Sequence, residues 1–271
     1  MTVDSTSNAA HRAENERLAI KLKHLNAKFM AMQAAVMSIG DLGVVPVGHP
    51  LADLASIETD FQPGATVTVI AVAGMAMQIG MAPREFRASL AGRPCNFIYI
   101  KDFRQAWYQR GLMGLSASLD ETAEVLKALL PPATESIRLV GSSSGAYGAI
   151  QLGLRLHADR VLAFAPQTKI TPKVFKRFKT IDSDIADYDY GAPEADLRNA
   201  FADHPSFFGD IRVVYGGKNP FDIAQVTRLE GIDCVELYPL PNCPHHNVAA
   251  YARKVGVLDR LLEDLTRQDD V

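Results

Sequence analysis

Short, almost continuous apolar runs alternate along most of the chain with longer stretches in which apolar residues recur every three or four positions. The short runs predict strands buried on both faces of a sheet, at Thr66–Val72, Asn96–Ile100, Ile137–Val140, Val161–Phe164, Ile211–Tyr215 and Cys234–Leu237. The longer stretches predict helices, at Pro83–Leu90, Leu119–Leu130, Gly145–Leu156, Pro220–Leu229 and Asn247–Leu265. This alternation predicts an α/β fold in which a mostly parallel central sheet is flanked by helices.

Two segments do not follow this alternation. The stretch from Gly40 to Asp60 has no clear period and is predicted to be a loop. The stretch from Thr168 to Pro205 joins a basic run, an acidic and tyrosine-rich run and a short helical pattern, and it is too long for a simple connection. We interpret residues 168–205 either as a small cap-like insertion or as a surface excursion.

An extra amphipathic helix is predicted before the α/β pattern, over residues 12–38. Its apolar positions are alternately four and three residues apart, as in a coiled-coil seam of fewer than three heptads; they are Leu18, Leu22, Leu25, Phe29, Met32 and Val36. The seam is expected to pack either on the helix's own domain or against a partner. The chain is therefore divided into residues 1–45, a helix and linker, and residues 46–271, the α/β domain.

Composition and charge narrow the class of protein. Apolar residues make up 48% of the 271 positions and charged residues 22%, which is typical of soluble globular proteins. A net charge of −3 gives no general attraction to nucleic acid or anionic lipid. The uncharged stretch from Phe61 to Pro83 is interrupted by glycines, so a strand and a loop are expected there instead of a membrane span. Without an apolar signal-peptide core near residue 1, the cytoplasm is the expected compartment.

A Gly-Ser-Ser-Ser-Gly run lies between a predicted strand and a predicted helix, at residues 141–145. A G-x-S-x-G pattern in this setting is typical of a nucleophile elbow, a strained turn that holds the serine Oγ clear of the sheet. Gly141 and Gly145 would avoid collisions with neighbouring strands, and the helix N-terminus would favour a developing anion. Ser143 is therefore the candidate nucleophile, and a serine-capped loop is the alternative interpretation.

A serine nucleophile needs a general base, and the base needs an orienting carboxylate. Asp222 follows a predicted strand and so lies at the carboxyl edge of the sheet, whereas Asp210 and Asp233 precede strands. The base is expected between the last strand and the last helix, where His245 and His246 are adjacent. His246 is preferred because it adjoins the start of the helix, and His245 stays open as the alternative.

An oxyanion hole needs two converging backbone N–H groups. Ser144, directly after the nucleophile, is predicted to supply one of them, and Met75, in the turn after an early strand, the other. Asp102, Tyr108 and His245 are candidate residues of a substrate pocket, because they lie near the edge where ligands collect in α/β sheets. For Tyr108 and its neighbour Trp107, core packing is the favoured role.

With these residues in place, the sequence resembles the α/β-hydrolase superfamily from about Gly64 to Leu265. The resemblance rests on the GSSSG run, on Asp222 after its strand and on His246 before the last helix. It departs from many lipases and esterases because the oxyanion loop lacks a His-Gly pair. The resemblance implies a sheet of about eight strands and a Ser143–His246–Asp222 triad, with no required cofactor.

These features predict a serine hydrolase that cleaves a carboxylic ester or thioester through an acyl-enzyme. The expected partner is a small-molecule acyl ester or thioester, and no metal, nucleic acid or membrane span is expected. Because one fold hosts many functions, two alternatives stay open. One is a non-catalytic binding protein with this fold, and the other is a protein that assembles, for instance as a homodimer, through residues 12–38.

Overall fold

Eight strands form one sheet in the computed structural model, which describes residues 5–38, 43–178 and 190–267. The strands are β1 (Val44–Pro46), β2 (Ile57–Asp60), β3 (Val67–Val72), β4 (Cys95–Ile100), β5 (Ser136–Ser142), β6 (Arg160–Phe164), β7 (Asp210–Gly216) and β8 (Val235–Leu240). Their order across the sheet is β1-β2-β4-β3-β5-β6-β7-β8. β2 and β4 run antiparallel, and the other neighbouring strands in this order run parallel. The predicted fold class is therefore confirmed.

The helices are α1 (Ser5–Ser38), α2 (Pro83–Ala88), α3 (Leu119–Leu129), α4 (Ser144–Leu156), α5 (Pro172–Phe178), α6 (Leu197–Asp203), α7 (Pro220–Val226), α8 (Val248–Lys254) and α9 (Leu258–Thr266). Helices that follow α1 cover both faces of the sheet. The single helix predicted over Asn247–Leu265 is two helices, because Gly256 between them adopts a left-handed φ of 74°. None of the helices in the described part of the chain is both long enough and apolar enough to cross a membrane.

Two short strands at one edge of the sheet were not predicted. β1 and β2 lie within the stretch from Gly40 to Asp60, which was predicted to be a loop, so that prediction was wrong. They contain only three and four residues, too few to establish an alternating pattern. β1 ends in Pro46, a residue that an edge strand tolerates because its missing N–H costs no internal ladder bond.

The core consists of two apolar layers, one on each face of the sheet. Alternate residues of β3 enter opposite layers, with Ile70 and Val72 in one and Val69 and Ala71 in the other. α3 and α4 belong to the first layer, and α2, α8 and α9 belong to the second. Every residue of α4 except Arg155 is buried. The helix that follows Ser143 is therefore fixed along its length, which fixes the position of the turn before it.

The N-terminal helix α1 leaves its apolar seam in solvent. Five of the six seam side chains are 38% to 66% exposed; they are Leu18, Leu22, Leu25, Phe29 and Met32. The sixth, Val36, lies outside the side chains that the structure describes. The seam is therefore not packed on the rest of the chain at the described positions, and the interpretation that it docks there is wrong. Partner binding, and the boundary at residue 45, stay predictions.

The segment 168–205 contains α5, α6 and a short 3-10 turn at Pro193–Ala195, while residues 179–189 lie outside the described residues. A β-bridge between Lys169 and Asp196 joins its two described parts. α6 packs on α4, and the carbonyl oxygen of Glu194 accepts a hydrogen bond from Gln151 Nε2 at 3.2 Å. Both described parts are thus anchored to the α/β domain.

Candidate active site

Ser143 lies in the sharp turn between β5 and α4. Its φ of 59° and ψ of −122° are sterically costly for a residue with a side chain. Hydrogen bonds hold this conformation from both sides. The Ser143 N–H donates to the Phe164 carbonyl at 2.8 Å, and its own carbonyl accepts from Ala146 N at 3.0 Å. The surrounding structure thus maintains a strained turn at the predicted nucleophile.

Close backbone packing explains why glycines flank Ser143. A Cβ on Gly141 would lie 2.2 Å from the carbonyl oxygen of Gly145. A Cβ on Gly145 would lie 2.2 Å from the carbonyl oxygen of Val72. Both collisions would be with backbone atoms, which cannot move aside as the end of a long side chain can. The steric reason for the motif therefore applies in this fold.

A continuous hydrogen-bond chain joins the three predicted triad residues. Ser143 Oγ lies 2.9 Å from His246 Nε2, and His246 Nδ1 lies 2.6 Å from Asp222 Oδ1. The Asp222 side chain is 1% exposed, and its Oδ2 has no hydrogen-bond partner among the described residues. Because buried carboxylates need hydrogen bonds, the imidazole N–H is the main group that stabilises this one. Nδ1 is then the protonated nitrogen, which leaves Nε2 free to accept the Ser143 hydrogen.

The structure distinguishes the two adjacent histidines. The His246 ring packs against a pair of aromatic rings, with centroids 4.9 Å from Phe178 and 5.9 Å from Phe221. His245 is exposed, and its ring is 6.4 Å from that of Tyr251. Only His246 is hydrogen-bonded to Ser143 among the described histidines. Phe178 is the last residue of α5, so this helix places a ring against His246.

The two predicted oxyanion donors lie beside the nucleophile. A Cβ on Gly74 would lie 3.7 Å from Ser143 Cβ, which places the Gly74–Met75 turn against the elbow. Ser144 is the first residue of α4, where backbone N–H groups have no partner within the helix. The N–H groups of Met75 and Ser144 have no acceptor among the described residues. Both are therefore free to donate to a substrate oxygen.

Three buried side chains support the turn that contains Met75. Gln105 Nε2 donates to the Met75 carbonyl at 2.8 Å, and Tyr99 Oη donates to the Met77 carbonyl at 3.0 Å. Tyr108 Oη donates to the Ala73 carbonyl at 2.7 Å. These bonds fix three carbonyl oxygens and so direct the intervening N–H groups. This support is a feature that the sequence analysis did not predict.

Asp102 and Tyr108, two of the candidate pocket residues, are both buried, and Tyr108 has the core-packing role that the sequence favoured. Tyr108 is fully buried and its hydroxyl contacts backbone carbonyls. Asp102 is 5% exposed and accepts three backbone N–H bonds, from Arg104 at 3.0 Å, Ala106 at 2.7 Å and Tyr108 at 2.9 Å. Its carboxylate thus organises the loop that supplies two of the supports of the Met75 turn, Gln105 and Tyr108. His245 is exposed at the surface, and its pocket role stays a prediction.

Burial raises the pKa of Asp102 to about 6, although the three backbone N–H groups oppose the shift. A pKa raised in the folded state means that the carboxyl favours folding below about pH 4 and that this contribution is lost as the pH rises through 6. The loss is about 3 kcal/mol, at about 1.4 kcal/mol per pH unit.

We expect Asp102→Asn to lack this fall in the free energy of unfolding, measured with urea between pH 4 and pH 7. Asp120→Asn, at an exposed carboxylate, is the control and should show the same fall as the wild type. An equal fall in Asp102→Asn and Asp120→Asn would contradict the assignment of this pH dependence to Asp102.

Gln167 is a residue of the candidate site that the sequence analysis missed. Its side chain is fully buried, and its Nε2 lies 2.9 Å from Ser143 Oγ and 3.1 Å from His246 Nε2. Its Oε1 accepts a hydrogen bond from Trp107 Nε1 at 3.0 Å. One signal was present in the sequence, because Gln167 is the first polar residue after β6, whose carboxyl end adjoins that of β5.

The sheet topology and the elbow between β5 and α4 are those of the α/β-hydrolase fold, and comparison with solved structures confirms it. No family model and no curated protein matches the sequence. An esterase from Pyrococcus furiosus has 16% identity and a TM-score of 0.50, with 75% of this chain and 85% of that one covered.

Two further solved structures share the fold. The fluorophosphonate-binding serine hydrolase F of Staphylococcus aureus has 12% identity and a TM-score of 0.55, with 78% of this chain and 86% of that one covered. The capsule O-acetyltransferase of Neisseria meningitidis serogroup A, solved in complex with CoA, has 18% identity and a TM-score of 0.51, with 75% and 91% covered. At these identities the likeness establishes the fold.

Proposed function

We propose that this chain is a serine hydrolase that cleaves a carboxylic ester or thioester through an acyl-enzyme. The observation that carries the proposal is the unbroken hydrogen-bond chain from Ser143 Oγ through the His246 ring to the buried Asp222. A serine hydroxyl is a weak nucleophile at neutral pH, and a base held in this orientation is what activates it. The similar folds of an esterase, a serine hydrolase and an O-acetyltransferase support the same acyl chemistry.

In the proposed first step, His246 Nε2 takes the hydroxyl proton while Ser143 Oγ bonds to the acyl carbon. The electron pair of the C=O bond moves to oxygen, where the N–H groups of Met75 and Ser144 stabilise the negative charge. Asp222 keeps the imidazole aligned and stabilises its positive charge. Collapse expels the alcohol or thiol with the proton from His246.

Water completes the proposed reaction. It gives a proton to His246 as its oxygen attacks the acyl carbon, and collapse then breaks the bond from carbon to Ser143 Oγ. The carboxylic acid leaves and the serine recovers its proton. Esters and thioesters are the proposed substrates because their leaving groups depart more readily than an amine.

Hydrolysis of simple aryl esters and acyl thioesters tests the proposal. The purified chain should release chromophore or thiol in many turnovers per molecule. Absence of turnover with acyl groups of several lengths, by a protein that is folded by circular dichroism, would favour the non-catalytic binding function instead.

The exposed seam of α1 favours a second candidate function, self-association through residues 12–38. Apolar side chains repeated at heptad spacing and left in solvent are the pattern of a coiled-coil surface. We expect Leu22→Glu and Leu25→Glu together to reduce the oligomer in sedimentation velocity, whereas Lys21→Glu leaves it intact. A wild-type chain that sediments as a monomer at high concentration would contradict this candidate.

A further inference from the structure

We propose that Gln167 is a catalytic residue whose carboxamide hydrogen-bonds Ser143 Oγ and speeds the breakdown of the acyl-enzyme. The inference rests on the proposed function. Gln167 lies on neither strand β5 nor helix α4, and it reaches the nucleophile from the loop after β6. With Nε2 at 2.9 Å from Ser143 Oγ, it touches a reacting atom directly.

Trp107 determines which end of the carboxamide faces the nucleophile. The indole N–H can only donate, so the Gln167 atom 3.0 Å from Trp107 Nε1 must be the oxygen. The NH₂ group is then directed toward Ser143 and His246. Because both Gln167 and Trp107 are fully buried, the amide has no competing water and little freedom to turn away.

The hydrogen-bonding roles around Ser143 Oγ are consistent with one another. The hydroxyl donates its hydrogen to His246 Nε2 and accepts a hydrogen from the Gln167 amide at the same time. One lone pair of Oγ is thereby occupied and the other stays available for attack. The amide also lies 3.1 Å from His246 Nε2, so it keeps contact with both atoms between which the proton moves.

The strength of this hydrogen bond changes through the reaction. A hydroxyl or alkoxide oxygen is a good acceptor, and hydrogen bonds to a charged oxygen are about twice as strong as neutral ones. The alkoxy oxygen of an ester is a poor acceptor, because its lone pair is delocalised into the carbonyl. The bond from Gln167 is therefore weakest in the acyl-enzyme. It strengthens again as the bond from carbon to Oγ breaks and Oγ receives the electron pair and the proton from His246.

The Gln167 amide bonds the oxygen of free Ser143 more strongly than that of acylated Ser143, so it mainly accelerates deacylation. Removing it is expected to slow deacylation more than acylation, so that kcat and KM fall together. The oxyanion donors act on a different atom, the carbonyl oxygen. Their loss affects both half-reactions, and the ratio of kcat to KM then falls with kcat.

The test uses full-length Gln167→Leu with p-nitrophenyl acetate in stopped flow. We expect kcat to fall about 10–100-fold, as for a lost hydrogen bond to developing charge, while kcat/KM falls less than about five-fold. A burst of p-nitrophenol should precede the steady state, and acid-quenched intact mass should show the acetylated chain as the main species. Gln167→Glu keeps the acceptor for Trp107 but replaces the donor by an acceptor, and it should lower kcat further.

Gln151→Leu is the matched control, because Gln151 is also fully buried and hydrogen-bonded but lies two turns along α4 from the nucleophile. It should retain the wild-type kcat and show no new burst. Equal behaviour of the Gln151 and Gln167 variants would overturn the proposal. So would equal falls of kcat and kcat/KM without acyl-enzyme accumulation, since that result indicates general disturbance of the site.

Trp107 provides a second, independent signal, because it is the chain's only tryptophan. Acylation of Ser143 weakens the Gln167 bond, and the change should reach the indole through Oε1 and shift its emission. The shift should be present in the wild type and absent in Gln167→Leu. Equal shifts in both would overturn the coupling, whereas a wild type that neither acylates nor turns over ester would overturn the proposed function as well.

Discussion

We expect His246→Ala and Ser143→Ala each to lower kcat for ester hydrolysis by about 10⁴-fold or more, and His245→Ala to stay close to the wild-type rate. We expect this contrast because His246 alone of the adjacent pair contacts both Ser143 Oγ and Asp222. Members of a triad act as a unit, so loss of either the nucleophile or the base removes nearly the whole effect, about 10⁶-fold in a well-studied protease.

The two histidines form an internal control for this prediction. They have adjacent positions in one loop, and His245 is exposed with its ring near Tyr251. The measurement is steady-state hydrolysis of an aryl ester by each variant, with thermal unfolding as the check that the fold is kept. A large loss in His245→Ala, with His246→Ala active, would reverse the assignment of the base.

Gly145→Ala is expected to be a strongly destabilising methyl addition at the site. The new Cβ would lie 2.2 Å from the carbonyl oxygen of Val72 and 2.6 Å from the carbonyl carbon of Ala73, so strand β3 or the elbow must move. We expect a loss of about 3 kcal/mol or more in the free energy of unfolding, or failure to fold. The same movement would displace Ser143 and the Met75 turn, so activity should fall with stability.

Gly153→Ala tests whether this cost comes from backbone collision. Gly153 lies on the same helix, and its new Cβ would meet a methyl of the Val161 side chain at 2.6 Å, with the next atoms at 3.8 Å. Repacking one side-chain methyl costs less free energy than moving the backbone, as Gly145→Ala requires. In addition, alanine is favoured over glycine in a helix by about 1 kcal/mol. The expected change is below about 2 kcal/mol. Similar losses in both variants, measured by urea unfolding, would contradict the steric explanation of the motif.

The strands, the elbow motif and two of the candidate site residues could be predicted because each depends on a short stretch of sequence. The strands around Ser143 are apolar runs, which predict burial on both faces even when the neighbouring strands are unknown. The GSSSG run is recognisable because its glycines are required to avoid backbone collisions. Asp222 and His246 could be selected by their positions after strands, because parallel strands bring their carboxyl ends to one edge of the sheet. The edge strands β1 and β2 were missed because three or four residues set no period.

The errors concern residues whose side-chain direction is set by the loop backbone. Gln105, Trp107 and Tyr108 all have positive φ, between 52° and 63°, and this turns the chain back into the core. Proximity to a strand end suggested a pocket role for Asp102, and for Tyr108 beside its favoured role in core packing, whereas both are buried supports in the fold. Gln167 was overlooked because a neutral amide carries no motif, and its contact with Ser143 arises only when β6 is placed beside β5.

Mapping of a fluorophosphonate adduct tests the central claim most directly. A fluorophosphonate reacts with a serine that has an adjacent base and an oxyanion hole, without requiring knowledge of the natural substrate. The wild type should gain one adduct, located on Ser143 by peptide mass spectrometry, and folded Ser143→Ala and His246→Ala should gain none. Absence of labelling in the folded wild type by several probes, or labelling that persists in Ser143→Ala, would contradict the account.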